Sequence, residues 1–122
     1  MREKQHIIDK IKDTQTRSGR IILTIAVDLD GVLCYGEYWG KENVKPNTEN
    51  IKFINELSLS HYIVIHTARR REWAKHTINW LHRYNVRYHA IHFDKMPADV
   101  YIDDKAVNII EHFKKEEKNG EK

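Results

Sequence analysis

Residues 24 to 33 read TIAVDLDGVL, an apolar run that stops on two carboxylates, Asp28 and Asp30, followed by Gly31. Acids this close repel each other and resist burial, so a positive group is expected to join them. A second acidic pair, Asp103 and Asp104, ends the run DVYIDD, while Thr67 ends YIVIHT and Lys95 lies shortly before the last run. Carboxylates with a lysine and a hydroxyl suit a divalent cation plus a phosphoryl group. The cation offsets the repulsion of the acids, and the lysine neutralises phosphate oxygens. Hard oxygen ligands favour magnesium. The amides of Leu29, Asp30 and Gly31 are candidate further donors to the phosphoryl oxygens, and Gly31 allows a tight turn.

Groups so far apart in sequence meet only if strand ends converge. Residues 21–28 read as a strand apolar on both faces, the pattern of a central parallel strand. Residues 62–67, roughly 87–93, and 99–104 supply three more. Helices are expected over residues 2–16, with Ile7, Ile8 and Ile11 on one face, and from Pro46 to near His61, with Ile51, Ile54 and Leu57 at core spacing. A third begins in ARRREW and places Trp73, Thr77, Trp80, Leu81 and Tyr84 together, and a last one buries Val107, Ile110 and Phe113. This alternation predicts an α/β fold, a Rossmann-like parallel sheet flanked by helices. Ligands of such sheets bind at the carboxyl ends of the strands, where Asp28, Asp30, Thr67, Asp103 and Asp104 all fall.

The chain has 122 residues, enough for one domain, expected as a helix and turn over 1–20, the α/β unit over 21–113 and a polar tail over 114–122. No apolar run approaches the ~20 residues of a membrane helix, and the charged start MREKQHIIDK does not resemble a secretory signal, so a cytoplasmic address and no membrane partner are expected. Cys34 is the single cysteine, which leaves no intramolecular disulfide and no CxxC motif. A net charge of +3 permits a phosphorylated partner but is far from that of a dedicated nucleic-acid binder. Of the eight histidines, the pair in HAIH lies in an expected strand, where residues three apart face opposite sides, and no HExxH occurs; zinc is not expected. Arg70 and Arg71 read as a solvated helix start, whereas Arg69, two residues past Thr67, is placed to touch substrate near the phosphate. Tyr35, Tyr38 and Trp39 follow the acids in a stretch suited to a loop and could wall the leaving group.

The ordered set DLDGV, a strand ending on Thr67, Lys95 and IDD resembles the four motifs of the haloacid dehalogenase superfamily of aspartate-nucleophile phosphohydrolases. The resemblance covers roughly residues 21 to 110, and the stretch from HTARRREW to IDDKA looks particularly like small capless members, among them capsule or sugar phosphatases. It implies a magnesium-dependent phosphomonoesterase in which Asp28 is the nucleophile and Asp30 the acid and base. Thr67 and Lys95 would hold the phosphoryl group. The metal would be bound by Asp28, the main-chain carbonyl of Asp30, and Asp103 and Asp104, one of them directly. Arg69, Tyr38 and Trp39 are then candidates for substrate contact. Only 15 residues, Val32 to Pro46, separate the first motif from the next helix, which leaves no room for a cap domain. An open site, shielded by that loop or by a second copy of the chain, is expected to take a phosphosugar or other phosphorylated metabolite. Two alternatives stand beside this reading: a polynucleotide 3'-phosphatase, with nucleic acid as partner, and a noncatalytic receiver-like phosphoacceptor. A receiver would carry its acceptor aspartate after a middle strand, whereas here the D-x-D is on the first.

Overall fold

Three consecutive residues of the first strand, Ile25, Ala26 and Val27, are at most 1% exposed, so this strand is covered on both faces. A strand in that position needs hydrogen-bonded neighbours on both sides and β-branched or small side chains that fit a pleated surface. The computed structural model describes residues 2–35, 44–93 and 98–102 and supplies both neighbours. Strand β1 (Thr24–Asp28) pairs in parallel with β2 (Tyr62–His66) on one side and with β4 (Val100–Ile102) on the other, and β2 pairs in parallel with β3 (Ala90–His92). The order β3-β2-β1-β4 reverses its direction of winding at β1, which is the switch point of an open α/β sheet. The expected α/β class with a parallel, helix-flanked, Rossmann-like sheet is the one observed.

Helix α1 (Arg2–Ser18), helix α2 (Thr48–Leu57) and helix α3 (Ala74–Arg83) bring their apolar stripes to one core. Ile25 and Val27 of β1 and Ile63 and Ile65 of β2 meet Ile7 and Ile11 of α1, Ile51 and Ile54 of α2, and Trp80 and Leu81 of α3. The face of α1 that carries Ile7, Ile8 and Ile11 therefore packs on the chain's own core. Asn47 caps α2, its side chain accepting from the Asn50 amide at 3.1 Å, which satisfies one of the first-turn donors.

The elements are shorter than the sequence pattern suggests, for two reasons of pairing. Residues 21 and 22 precede the first residues of both neighbouring strands, Tyr62 and Val100, and without a partner Ile21 and Ile22 remain 79% and 70% exposed. The expected strand over 87–93 is reduced because its first residues bond elsewhere: the Arg87 amide donates to Asn55 Oδ1 at 2.7 Å. The segment expected to begin the third helix opens instead as a single 3-10 turn, Arg71–Trp73. The last helix and the polar tail lie outside the described residues. Among those described, no helix is long and apolar enough to cross a membrane.

Side chains stitch the amino ends of the strands. His61 Nδ1 accepts the Leu23 amide at 3.1 Å, His89 Nδ1 accepts the Ile63 amide at 2.9 Å, and Asp99 accepts the Thr24 amide at 2.9 Å while pairing with Arg20. Polar groups at that edge are thus satisfied internally, and the carboxyl edge is left for chemistry. Burial lowers the pKa of His61 from 6.5 because the charged ring loses its hydration, and the neutral ring that results accepts the Leu23 N–H. The stability this ring contributes is full above its unfolded value and is lost as pH falls through its lower folded value. As pH is lowered below 6.5, the melting temperature of the parent is expected to drop more steeply than that of His61→Gln, which keeps an acceptor without a titrating ring. Parallel pH profiles of the two proteins would show that the titration of His61 is not linked to stability.

Candidate active site

Strand alternation explains the spacing of the two acids. Leu29 is fully buried, so Asp28 and Asp30 on either side of it share the opposite, half-buried side of the chain. The turn that follows is held by its backbone. The Leu29 carbonyl accepts from the Leu33 amide at 2.9 Å, and Gly31, at a φ of 88°, donates its amide to the Cys34 carbonyl at 3.0 Å. That positive φ is the reason for a glycine here. It also alters one expectation: the Gly31 N–H is engaged within the turn and is not an extra donor for a phosphoryl oxygen. Val32 and Leu33 anchor the turn in the core, and two bonds tie it to the start of α2, Asn50 Nδ2 to the Val32 carbonyl at 2.9 Å and the Asn47 amide to the Leu33 carbonyl at 2.8 Å.

The residue after β2 is Thr67, 1% exposed, whose amide donates to the His92 carbonyl at 3.0 Å. Its hydroxyl oxygen accepts the Arg69 amide at 3.0 Å, a local turn of the kind threonine favours. This turn sends the Arg69 side chain back across the strand end to Asp30. Nε donates to Asp30 Oδ2 at 3.0 Å and Nη2 to Oδ1 at 2.7 Å, while Nη1 donates to Thr77 Oγ1 of α3 at 3.2 Å. Arg69 was expected to contact substrate. Its side chain is instead 3% exposed and forks onto both oxygens of Asp30, the carboxylate partner that a buried guanidinium needs. The positive group that the paired acids require is therefore, in part, Arg69.

Cys34 lies beside the same carboxylate, with Sγ 3.4 Å from Oδ1. Burial first, and then the nearby Asp30 charge, push its thiol up to about 12, which makes it an inert filler and not a nucleophile. On the side of the sheet that carries Asp28, the register places His66 directly next to it and His92 next to His66. The sequence reading passed over this row: His66 was treated only as part of an apolar strand, and its neighbours become visible only once the parallel register is known. Among the described residues no group of His, Cys, Asp or Glu is arranged to hold a metal. Lys95, Tyr38, Trp39, Asp103 and Asp104 lie outside the described residues. Ile102, the last described residue of β4, pairs with Val27, one residue before Asp28. Tyr35 is 57% exposed.

No protein-family model matches the chain, and no curated protein matches it. A solved structure of a conserved protein from Bacteroides thetaiotaomicron is similar, with a TM-score of 0.58 and 22% identity over 78% of this chain and 92% of that one. At that identity the likeness supports the fold: the sheet and helices described above form an architecture shared across nearly the whole of the second chain.

The Arg69–Asp30 pair is buried enough for its loss to be felt in stability. Removing one member of a buried pair leaves an uncompensated charge and costs about 3–5 kcal/mol, whereas replacing both by uncharged groups of similar size is often near neutral. In urea unfolding, Arg69→Met and Asp30→Asn are each expected to lower stability strongly, and the double variant to lose much less than the sum of the two. Strict additivity would show that the two side chains do not interact.

Proposed function

We propose that the protein is a magnesium-dependent phosphomonoester phosphatase that works through an aspartyl phosphate on Asp28, with a phosphosugar or another phosphorylated metabolite as substrate. The observation that carries this reading is the position of Asp28. It ends the central strand at the switch point of the sheet, with Asp30 on the same side two residues later and Thr67 at the end of the adjacent strand. The first two of the ordered motifs that resemble those of haloacid dehalogenase phosphohydrolases, DLDGV and the strand before Thr67, fall at these strand ends.

The roles follow from the chemistry of the groups. Asp28 attacks phosphorus in line, so that a new aspartyl O–P bond forms as the bond to the leaving oxygen breaks. For this step Asp30 must carry a proton, which the Arg69 fork opposes and the negative charge of the bound phosphoryl group favours, and it gives that proton to the leaving oxygen. Water then attacks the aspartyl phosphate, Asp30 takes a proton from it, and inorganic phosphate leaves with the Asp28 carboxylate restored. Thr67 Oγ1 already accepts the Arg69 amide, which leaves its own O–H to donate to a phosphoryl oxygen. Lys95 would neutralise the developing charge.

Asp28 supplies a hard carboxylate donor of the kind magnesium takes. Both oxygens of the Asp30 side chain are engaged by Arg69, so this residue would offer the metal its main-chain carbonyl, beside the carboxylate of Asp28 and one or both of Asp103 and Asp104. When bound, magnesium would neutralise negative charge on the phosphoryl oxygens and on Asp28.

Purified protein is expected to release phosphate from p-nitrophenyl phosphate and from members of a phosphosugar panel, with loss of turnover in EDTA and recovery on adding magnesium. Asp28→Asn should lower turnover by more than about 1,000-fold, since an amide cannot act as the anionic nucleophile, with little change in melting temperature. Turnover by the Asn variant equal to that of the parent would overturn the assignment. Single labelling without turnover would favour a receiver-like phosphoacceptor.

A further inference from the structure

We propose that Arg69 is a positioning residue for proton transfer: with Thr77 behind it, it fixes the carboxylate plane of Asp30 and leaves Oδ2 as the oxygen that exchanges the proton with the leaving group. The proposal rests on the phosphatase reading and adds to it the atom that acts and the residues that hold it.

Each carboxylate oxygen has two lone-pair positions. On Oδ1 one is met by Arg69 Nη2 at 2.7 Å, and at the other stands the Cys34 thiol, whose single proton is within reach of this oxygen at 3.4 Å and of the Leu29 carbonyl at 3.6 Å. On Oδ2 the described residues supply one donor, Arg69 Nε at 3.0 Å. The two oxygens are therefore unequal, and Oδ2 keeps a place for a proton. A fork with two parallel contacts also prevents the carboxyl group from rotating about its bond to Cβ, which a single contact would permit.

The fork is itself held from two directions. Thr77, fully buried on α3, accepts from Nη1 at 3.2 Å, and the Arg69 backbone is pinned by its amide bond to Thr67 Oγ1 at 3.0 Å. A side chain 3% exposed and engaged in this way is badly placed to grip a substrate from solution but well placed to hold a neighbour still. Proton transfer requires hydrogen-bond reach and alignment with the leaving oxygen, so a loosened Asp30 should impair substrates in proportion to their need for a proton.

The test compares kcat/KM, which reports the first transfer, on an alkyl phosphate and on p-nitrophenyl phosphate. Arg69→Lys keeps the charge and loses the fork; Thr77→Val keeps the shape and loses the acceptor. For Arg69→Lys the alkyl phosphate is expected to lose at least about tenfold and p-nitrophenyl phosphate only about twofold, because p-nitrophenolate departs with little protonation. Thr77→Val should show the same selectivity to a smaller degree. Competitive inhibition by inorganic phosphate should be unchanged in both. Equal losses on the two substrates, or weakened inhibition by phosphate, would overturn the proposal and assign Arg69 to general structure or to direct phosphate binding, with the phosphatase reading intact. A parent protein inactive on both esters would remove the phosphatase reading and this proposal together.

Discussion

The structure depends on a central strand that has no wet face. β1 is hydrogen-bonded to β2 and β4 along both edges, and Ile25, Ala26 and Val27 are closed to solvent, so polar groups on this strand can stand only at its ends. At the amino end, buried polar groups are satisfied by His61 and Asp99. At the carboxyl end stand two acids instead, at the point where the order of strands reverses. Acids in such a place need compensation from elsewhere in the chain, and the Arg69 fork on Asp30 is the part of that compensation contributed by the loop after β2.

Much of this was legible in the sequence because it rests on short-range rules. The run before Asp28 reads as a strand apolar on both faces, and Ile25, Ala26 and Val27 are indeed buried. The apolar runs read over 21–28 and 62–67 are too short and too β-branched for helices, and strands are found within both, at Thr24–Asp28 and Tyr62–His66. What pattern reasoning overextended were strand ends, since pairing is a property of neighbours: Ile21 and Ile22 have the composition of strand residues but no partner beside them.

The side-chain partnerships were not legible, for the same physical reason. Arg69 and Asp30 are 39 residues apart, and nothing local distinguishes an arginine that will turn inward from one that will meet substrate. The turn closed by Thr67 Oγ1 on the Arg69 amide and the acceptor supplied by Thr77 decide the direction, and both are visible only in three dimensions. His66 and His92 join the row of Asp28 by register alone. Cys34 is a milder case: its isolation excluded a disulfide, but its closeness to Asp30 came from the fold.

The proposed role of Asp28 as nucleophile is tested most directly by finding the phosphoryl group on it. Protein mixed with magnesium and a phosphomonoester, quenched in acid within a turnover and digested, should yield a peptide containing Asp28 heavier by one phosphoryl group. The adduct should be labile to hydroxylamine, as an acyl phosphate is, and should be missing from Asp28→Asn. Phosphate release with no adduct on that peptide, or an adduct on any other residue, would contradict the account.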